Sequence, residues 1–126
     1  MELSSTLRAN AVFTALCALI CLLRTDFVTA NTLVPEQFWI IGLGILLLGF
    51  VPMLLFAAAR PLAWLVRTII VLDWCYVAIA LTYFLLHWRE VDNLGAAMIA
   101  VPPAFVALFA LLQQSGLTDI SNEAAV

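Results

Sequence analysis

The sequence contains no lysine and little charge of either sign. Only 10% of its 126 residues are charged, 66% are hydrophobic, and the net charge is −3. This composition argues against a nucleic-acid partner, which would require a basic face. A soluble domain of this length could not bury so much apolar surface, so lipid must solvate much of the chain. We expect a single integral membrane domain over residues 1–126, with almost no mass outside the bilayer.

Residues that bind metals or carry out thiol chemistry are also scarce. The three cysteines form no C-x-x-C motif, and the single histidine, His87, is at the far end of a helix from Asp73. Zinc needs about four N, S or O ligands, and no nucleophile–base pair or pair of carboxylates lies at a common membrane depth. Asp73 with Tyr76 is the only titratable pair within one helical turn. We therefore expect no metal, no cofactor and no enzymatic activity.

Long hydrophobic runs, in contrast, are abundant. A transmembrane helix needs about 20 apolar residues, and four segments qualify: 7–23, 38–59, 62–86 and 94–112. The first reaches full length if Arg8 snorkels to the interface and the helix begins near Ser4. Because the connections are short, sequential spans must run antiparallel. The predicted fold is an all-α membrane protein, an up-down-up-down bundle of four transmembrane helices.

Proline and polar residues predict the structure of the connections. Residues 25–37 are expected to be irregular, and Arg60-Pro61 to form a tight hairpin with Pro61 at the first position of the third helix. Pro102-Pro103 predicts a kink in the fourth span, and Pro52 is expected to have a packing role in the second. The acidic, small-residue segment 116–126 is expected to be a short disordered tail.

The arginines determine the expected orientation. Arg8, Arg60 and Arg67 lie on the N-terminal side of the membrane, and only two arginines lie on the other side. We therefore expect both termini in the cytoplasm. An alternative is cleavage after Val28-Thr29-Ala30, a small-x-small triplet of the kind that signal peptidase recognises. Cleavage there would leave three spans and an external N-terminus.

One residue in the third span departs from the apolar pattern. Asp73 lies near the centre of a stretch with thirteen Leu, Ile, Val or Phe residues. These residues favour insertion by about 6 kcal/mol, against a cost of about 3 kcal/mol for a central Asp, so the span still inserts. Arg67 is six residues away and lies on a different face. The carboxylate either finds a partner among Asn10, Thr14 and Arg8 of the first span or is protonated.

Polar and small residues recur at three- and four-residue spacings along one face of each span. In the third span they are Asp73, Tyr76, Ala80, Tyr83 and His87. In the others they are Asn10, Thr14, Cys17 and Cys21; Gly42, Leu46, Gly49 and Met53; and Ala96, Ala100, Pro103, Ala107, Ala110 and Gln114. We expect all four faces to point inward, because small residues allow close packing and polar side chains then bond across the contact.

The candidate buried polar site consists of polar residues from the first and third spans. They are Asp73, Tyr76, Tyr83, His87, Asn10 and Thr14. Two interpretations are open for this set. It either provides packing contacts within the bundle or forms a polar path from Asp73 to the outer surface.

Three short motifs occur along the chain: Leu7-Arg8-Ala9-Asn10-Ala11-Val12-Phe13, Leu72-Asp73-Trp74 and Ala110-Leu111-Leu112-Gln113-Gln114-Ser115-Gly116-Leu117. They resemble small, uncharacterised four-span proteins of the bacterial inner membrane. The resemblance covers nearly the whole chain. It implies the four-span topology, a bacterial source and a place in the inner membrane, and it implies no known activity.

Two functions remain open. The small-residue faces and the lack of an extramembrane domain favour a non-enzymatic accessory or assembly subunit, associated with itself or with other membrane-protein subunits. The alternative is a small transporter or channel that uses Asp73 as a proton or cation site, which would need to oligomerise because one such bundle has little room for a pore. The first function tolerates Asp73→Asn where hydrogen bonding is preserved, whereas the second loses flux.

Overall fold

Five helices make up the computed structural model, which describes residues 2–125, with side chains described for residues 2–119. They are α1 (Leu3–Leu23), α2 (Thr25–Thr32), α3 (Glu36–Ala59), α4 (Ala63–His87) and α5 (Asn93–Ala125). All except α2 are long and apolar enough to cross a membrane, α5 over its first part, Asn93–Asp119. The prediction of a helical, multi-pass membrane bundle is confirmed.

The long helices alternate in direction. Leu3 of α1, Ala58 of α3, Leu65 of α4 and Leu117 of α5 belong to one apolar cluster at the same end of the bundle. The chain therefore runs away from this end in α1 and α4 and returns to it in α3 and α5. We name it the terminal end, and the opposite end, which carries α2, the far end.

The four long helices do not pack equally against one another. α1 packs along α3 and against α5, and α5 packs along α4. α3 approaches α4 only through its last segment, Val51–Ala59, beside the turn that joins the two helices. The stretch from Glu36 to Phe50 does not approach α4. Helix contact therefore closes three sides of the bundle, and the α3–α4 side stays open towards the far end.

The apolar core lies mainly at the terminal end. Leu7, Leu54, Val66 and Ile69 are completely buried there, one or more from each of α1, α3 and α4. The buried residues of α4 all fall in its first half and end at Asp73. In lipid these contacts stabilise the bundle through close packing, because the surrounding acyl chains are as apolar as the side chains.

A wide π turn, Leu46–Phe50, interrupts α3 immediately before Pro52. A proline cannot donate a backbone N–H, and its ring clashes with the carbonyl four residues earlier. The wider turn relieves this clash, as π turns commonly do where the regular ladder is broken. α5 continues as α-helix through Pro102 and Pro103, so the kink expected there stays a prediction.

Two predictions about the connections were wrong. Residues 25–37 are not irregular throughout, because α2 forms two helical turns that end at Leu33 in the left-handed conformation (φ 65°). Pro61 does not start the third long helix, since Leu62 is extended and α4 begins at Ala63. The turn between α3 and α4 is nevertheless as short as expected.

The ends of the first and last helices extend beyond the predicted spans. α1 begins at Leu3, close to the expected start near Ser4. The tail predicted as disordered is helical from Gly116 to Ala125, and Val126 lies outside the described residues. The physical reason is a contact between the two ends of the chain. Gly116 packs against Leu3 so closely that an added Cβ would lie 2.9 Å from the Leu3 Cβ, and the next residue, Leu117, is buried.

Candidate functional site

Asp73 lies in the middle of α4, with only 2% of its surface exposed. The buried residues Val66, Ile69 and Ile70 precede it at spacings of three and four. Residues with this spacing share one face of a helix. Asp73 therefore continues the apolar face that packs into the core, and the helix cannot bury this face without burying the carboxylate.

Two carboxamides donate hydrogen bonds to a single oxygen of Asp73. Gln113 Nε2 of α5 lies 2.8 Å from Asp73 Oδ2, and Asn10 Nδ2 of α1 lies 3.2 Å from the same atom. Asn10 Nδ2 also donates to Gln113 Oε1 at 2.9 Å. Asn10 and Gln113 are completely buried. We name this group of three residues the carboxylate clamp.

Thr14 fixes the orientation of the Asn10 carboxamide. Its hydroxyl lies 3.1 Å from Asn10 Oδ1 and donates to it, one turn along α1. With the carboxamide reversed, Asn10 Oδ1 would face Asp73 Oδ2 and Gln113 Oε1, which are both acceptors. The network is therefore consistent in one orientation only, with the Asn10 amide group directed at the carboxylate.

The carboxylate clamp joins two helices whose backbones lie apart. α1 and α4 lie diagonally across the bundle, and their backbones make no close approach. The side chains of Asn10 and Asp73 bridge this distance, and Gln113 ties both to α5. Hydrogen bonds between transmembrane helices contribute about 0.6 to 2 kcal/mol each, so the three bonds of the clamp form a substantial part of what positions α4.

The negative charge of Asp73 has no cationic partner among the side chains of residues 2–119. Arg8 and Arg67 are both exposed. Of the partners that the sequence suggested, Asn10 is correct, Thr14 acts through Asn10, and Arg8 does not pair with Asp73. The hydrogen-bond partners of the Asp73 side chain among the described residues are the neutral carboxamides of Asn10 and Gln113.

The polar face of α4 divides into two groups. Beyond the clamp, the Tyr83 hydroxyl donates to the Thr32 carbonyl at 2.6 Å. The Tyr83 ring packs on His87 with 4.4 Å between ring centroids, and His87 Nδ1 lies 2.8 Å from Glu90 Oε2. Tyr83 and His87 therefore contact residues of the loops and of α2 at the far end, and neither forms a hydrogen bond with Asp73.

Tyr76 falls between these two groups and belongs to neither. It is 39% exposed, and its hydroxyl makes no hydrogen bond with any residue whose side chain is described. Across the described part of the chain, hydrogen bonds therefore do not connect Asp73 to His87. The polar path considered from the sequence is interrupted at this residue.

Helix α2 is held at the far end by two close contacts and by the burial of two of its side chains. Thr32 and Val28 are buried, and the Thr32 carbonyl accepts the bond from Tyr83. The Asn31 carbonyl lies directly on Gly95 at the start of α5, where any added Cβ would overlap it. The triplet considered as a cleavage site, 28–30, lies inside this docked helix.

The expected inward face of α3 was wrong at its two glycines, although Met53 of that face packs against the core. Gly42 and Gly49 are exposed, and a Cβ added to either would meet nothing within 4 Å. Leu43, Leu54 and Ala57 are buried instead. The glycines have no close neighbour because α4 does not lie beside this half of α3.

The face of α5 that points inward differs from the expected face by a shift of about one residue at several positions. Pro103 and Ala110 of the expected face are buried, whereas Ala100 and Gln114 are exposed. The other buried positions are Gly95, Ile99, Val106, Gln113 and Leu117. The sequence prediction therefore missed Gln113 and selected its neighbour. Residue size could not have identified Gln113, because large apolar side chains also occupy exposed positions of α5, such as Val101, Phe105 and Leu108.

Other candidate sites are weak. No group of three or more His, Cys, Asp or Glu side chains that could hold a metal ion occurs within residues 2–119. A shallow groove of about 370 Å³ lies on the surface of α4, lined by Ala78, Ile79, Thr82, Tyr83 and Leu86. It does not include any residue of the carboxylate clamp.

Comparisons with protein-family models, with curated proteins and with solved structures find no match to this chain.

Proposed function

We propose that this protein is a non-enzymatic accessory or assembly subunit, which packs the open α3–α4 side of its bundle against a helix of another membrane protein. The observation that carries the proposal is the separation of α3 and α4. Two sequential transmembrane helices joined by a short turn ordinarily pack along their length, but here only Val51–Ala59 of α3 approaches α4.

The side chains near the open side support a protein partner. Tyr76 places a hydroxyl that has no hydrogen-bond partner among residues 2–119 close to the middle of a membrane span. A polar group in hydrocarbon is stabilised by a hydrogen bond, and the hydroxyl, amide or carbonyl groups of an adjacent helix can supply one. On α3, Gly42 and Gly49 leave open space above the backbone, which allows another helix to approach closely.

The proposed setting is a bacterial inner membrane, with both termini in the cytoplasm. The resemblance described above supports the setting, and the arginine distribution supports the orientation, since three of the five arginines lie towards the terminal end. Reporter fusions test the orientation. A C-terminal fusion is expected to give an active cytoplasmic reporter and an inactive periplasmic one, and the reverse result would place the terminal end outside.

Site-directed photocrosslinking in the native membrane tests the partner. A photoreactive residue at Tyr76 reports on the open side, and the same residue at Val12 is the matched control. Val12 is 56% exposed and close to Tyr76 in depth, because Asn10 and Asp73 are at one level, but it belongs to the diagonally opposite helix. We expect Tyr76 to crosslink to one defined membrane protein and Val12 to lipid only.

Native gels in mild detergent, with mass spectrometry of the comigrating proteins, complete the test. A stable complex with other subunits would support the accessory function. A monomer that gives no crosslink from position 76 would refute it. A homo-oligomer crosslinked through position 76 would favour the second candidate.

The second candidate is a small transporter or channel, active as an oligomer, with Asp73 as a proton or cation site. It is favoured by one observation, the carboxylate at the middle of the membrane that has no cationic partner among the described residues. In proteoliposomes, Asp73→Asn should abolish flux without changing the oligomeric state. Undiminished flux in this variant would eliminate this candidate.

A further inference from the structure

We propose that Asp73 is a proton-binding site, that the proton is carried on Oδ1, and that Asn10 and Gln113 hold Oδ2. The inference goes beyond the accessory function and does not depend on it, because it concerns an atom inside the bundle and requires no partner. It rests on the geometry of the carboxylate clamp.

The two oxygens of Asp73 have different surroundings. Oδ2 accepts both carboxamide N–H groups, at 2.8 and 3.2 Å. Oδ1 accepts no hydrogen bond from the described residues, and Asp73 as a whole residue is 2% exposed. A proton on Oδ2 would face two donors, whereas a proton on Oδ1 disturbs no bond. Oδ1 is therefore the oxygen that binds the proton.

The surroundings of Asp73 favour the neutral acid. From α1, the ionisable residues nearest in sequence to Asn10 are Arg8, which is exposed, and Cys17, which is uncharged as a thiol. From α4 they are Cys75 and Tyr76 and, further along the helix, Arg67, which is also exposed. α3 between residues 38 and 59, and α5 between 94 and 118, contain no ionisable side chain. A buried charge without a counter-charge is expensive in lipid, and binding a proton removes that charge.

A proton fits the clamp better than a metal cation does. Sodium, calcium and magnesium ions are bound by several oxygen ligands at once. Here the carboxamides direct nitrogen at the carboxylate, Asn10 Oδ1 is used by Thr14, and Gln113 Oε1 is used by Asn10. The site therefore offers one available oxygen, Oδ1 of Asp73. One oxygen is sufficient to bind a proton but too few to bind a metal ion.

Binding of the proton changes the strength of the clamp. Hydrogen bonds to an ionised carboxylate are about twice as strong as bonds between neutral groups. With a proton on Oδ1, Asn10 and Gln113 bond to a neutral carbonyl oxygen, and the clamp holds α1, α4 and α5 less tightly. The site thus links proton occupancy to the packing of three helices.

Infrared spectroscopy of the protein in lipid nanodiscs at pH 7 tests the proposal. We expect a carboxylic-acid C=O band that is absent in Asp73→Asn and retained in Asp119→Asn. Asp119 is an exposed carboxylate near the end of α5 and is the matched control. In Gln113→Met the band should move to higher frequency, because the C=O group at Oδ2 loses a hydrogen bond. Circular dichroism of each variant verifies that the helices are intact.

Three results would overturn the proposal. The first is a wild-type protein without an acid band, which would show that Asp73 is ionised. The second is a band that disappears when sodium replaces a large organic cation in the buffer, which would show that the site binds metal ions. The third is a band unmoved in folded Gln113→Met, which would show that Gln113 does not bond to the carbonyl oxygen and would remove the assignment of the proton to Oδ1.

Discussion

Replacement of Gln113 by methionine should destabilise the bundle, whereas the same replacement of the next residue should not. Gln113 makes two hydrogen bonds in the carboxylate clamp, one to Asp73 Oδ2 at 2.8 Å and one from Asn10 Nδ2 at 2.9 Å. At about 0.6 to 1.7 kcal/mol for each interhelical bond in a membrane, the loss is about 1 to 3 kcal/mol. Methionine is similar in length and shape, so little of the loss should come from packing.

Gln114 provides a control of the same residue type, one position away. It is exposed and makes no side-chain bond with another described side chain, so Gln114→Met should change the stability by less than about 0.5 kcal/mol. Unfolding in mixed micelles with increasing SDS, followed by tryptophan fluorescence, measures both variants. Equal destabilisation by the two substitutions, or a larger effect at Gln114, would refute the assignment of Gln113 to the clamp.

Three further predictions concern the clamp and the far end. In the same unfolding assay, the free energy of unfolding of Asp73→Asn should stay within about 1 kcal/mol of the wild type, because an amide oxygen can accept both carboxamide bonds. Asp73→Leu, which cannot accept them, should lose about 1 to 3 kcal/mol. Equal stability of the two variants would contradict this prediction. Gly95→Ala should displace α2 from the start of α5 and increase proteolysis after residue 24. Gly44→Ala is the control and should leave proteolysis unchanged, because a Cβ added at Gly44 meets nothing within 4 Å. Tyr83→Phe should increase hydrogen exchange in α2 without affecting α4, because it removes only the bond to the Thr32 carbonyl; unchanged exchange would show that this bond does not hold α2.

The topology could be predicted from the sequence because insertion into lipid depends on local composition. Four apolar runs separated by short polar turns leave little choice of architecture, and the central burial of Asp73 follows from its place in the third run. The contact with Asn10 was also predictable, since few polar residues lie at comparable depth. None of these conclusions requires knowledge of how the helices are rotated about their axes.

Rotation is what could not be predicted, and the choice between Gln113 and Gln114 shows why. In a soluble helix, the polar face and the apolar face differ clearly. A membrane helix is apolar towards lipid and apolar towards its neighbours, so two adjacent glutamines in α5 give no local signal of which one points inward. The outward position of Gly42 in α3 has the same origin, because it depends on the distance to α4, which is a property of the assembled bundle.

The carboxylate clamp also has an order of assembly. A ribosome delivers α1 first, then α4, and α5 last, so Asp73 enters the bilayer when only Asn10 is available to bond with it. The shorter of its two hydrogen bonds is the one from Gln113, and this bond forms only after the final helix has been inserted. Nascent chains that stop before residue 113 therefore keep in the membrane an Asp73 side chain that lacks one of its two hydrogen-bond donors.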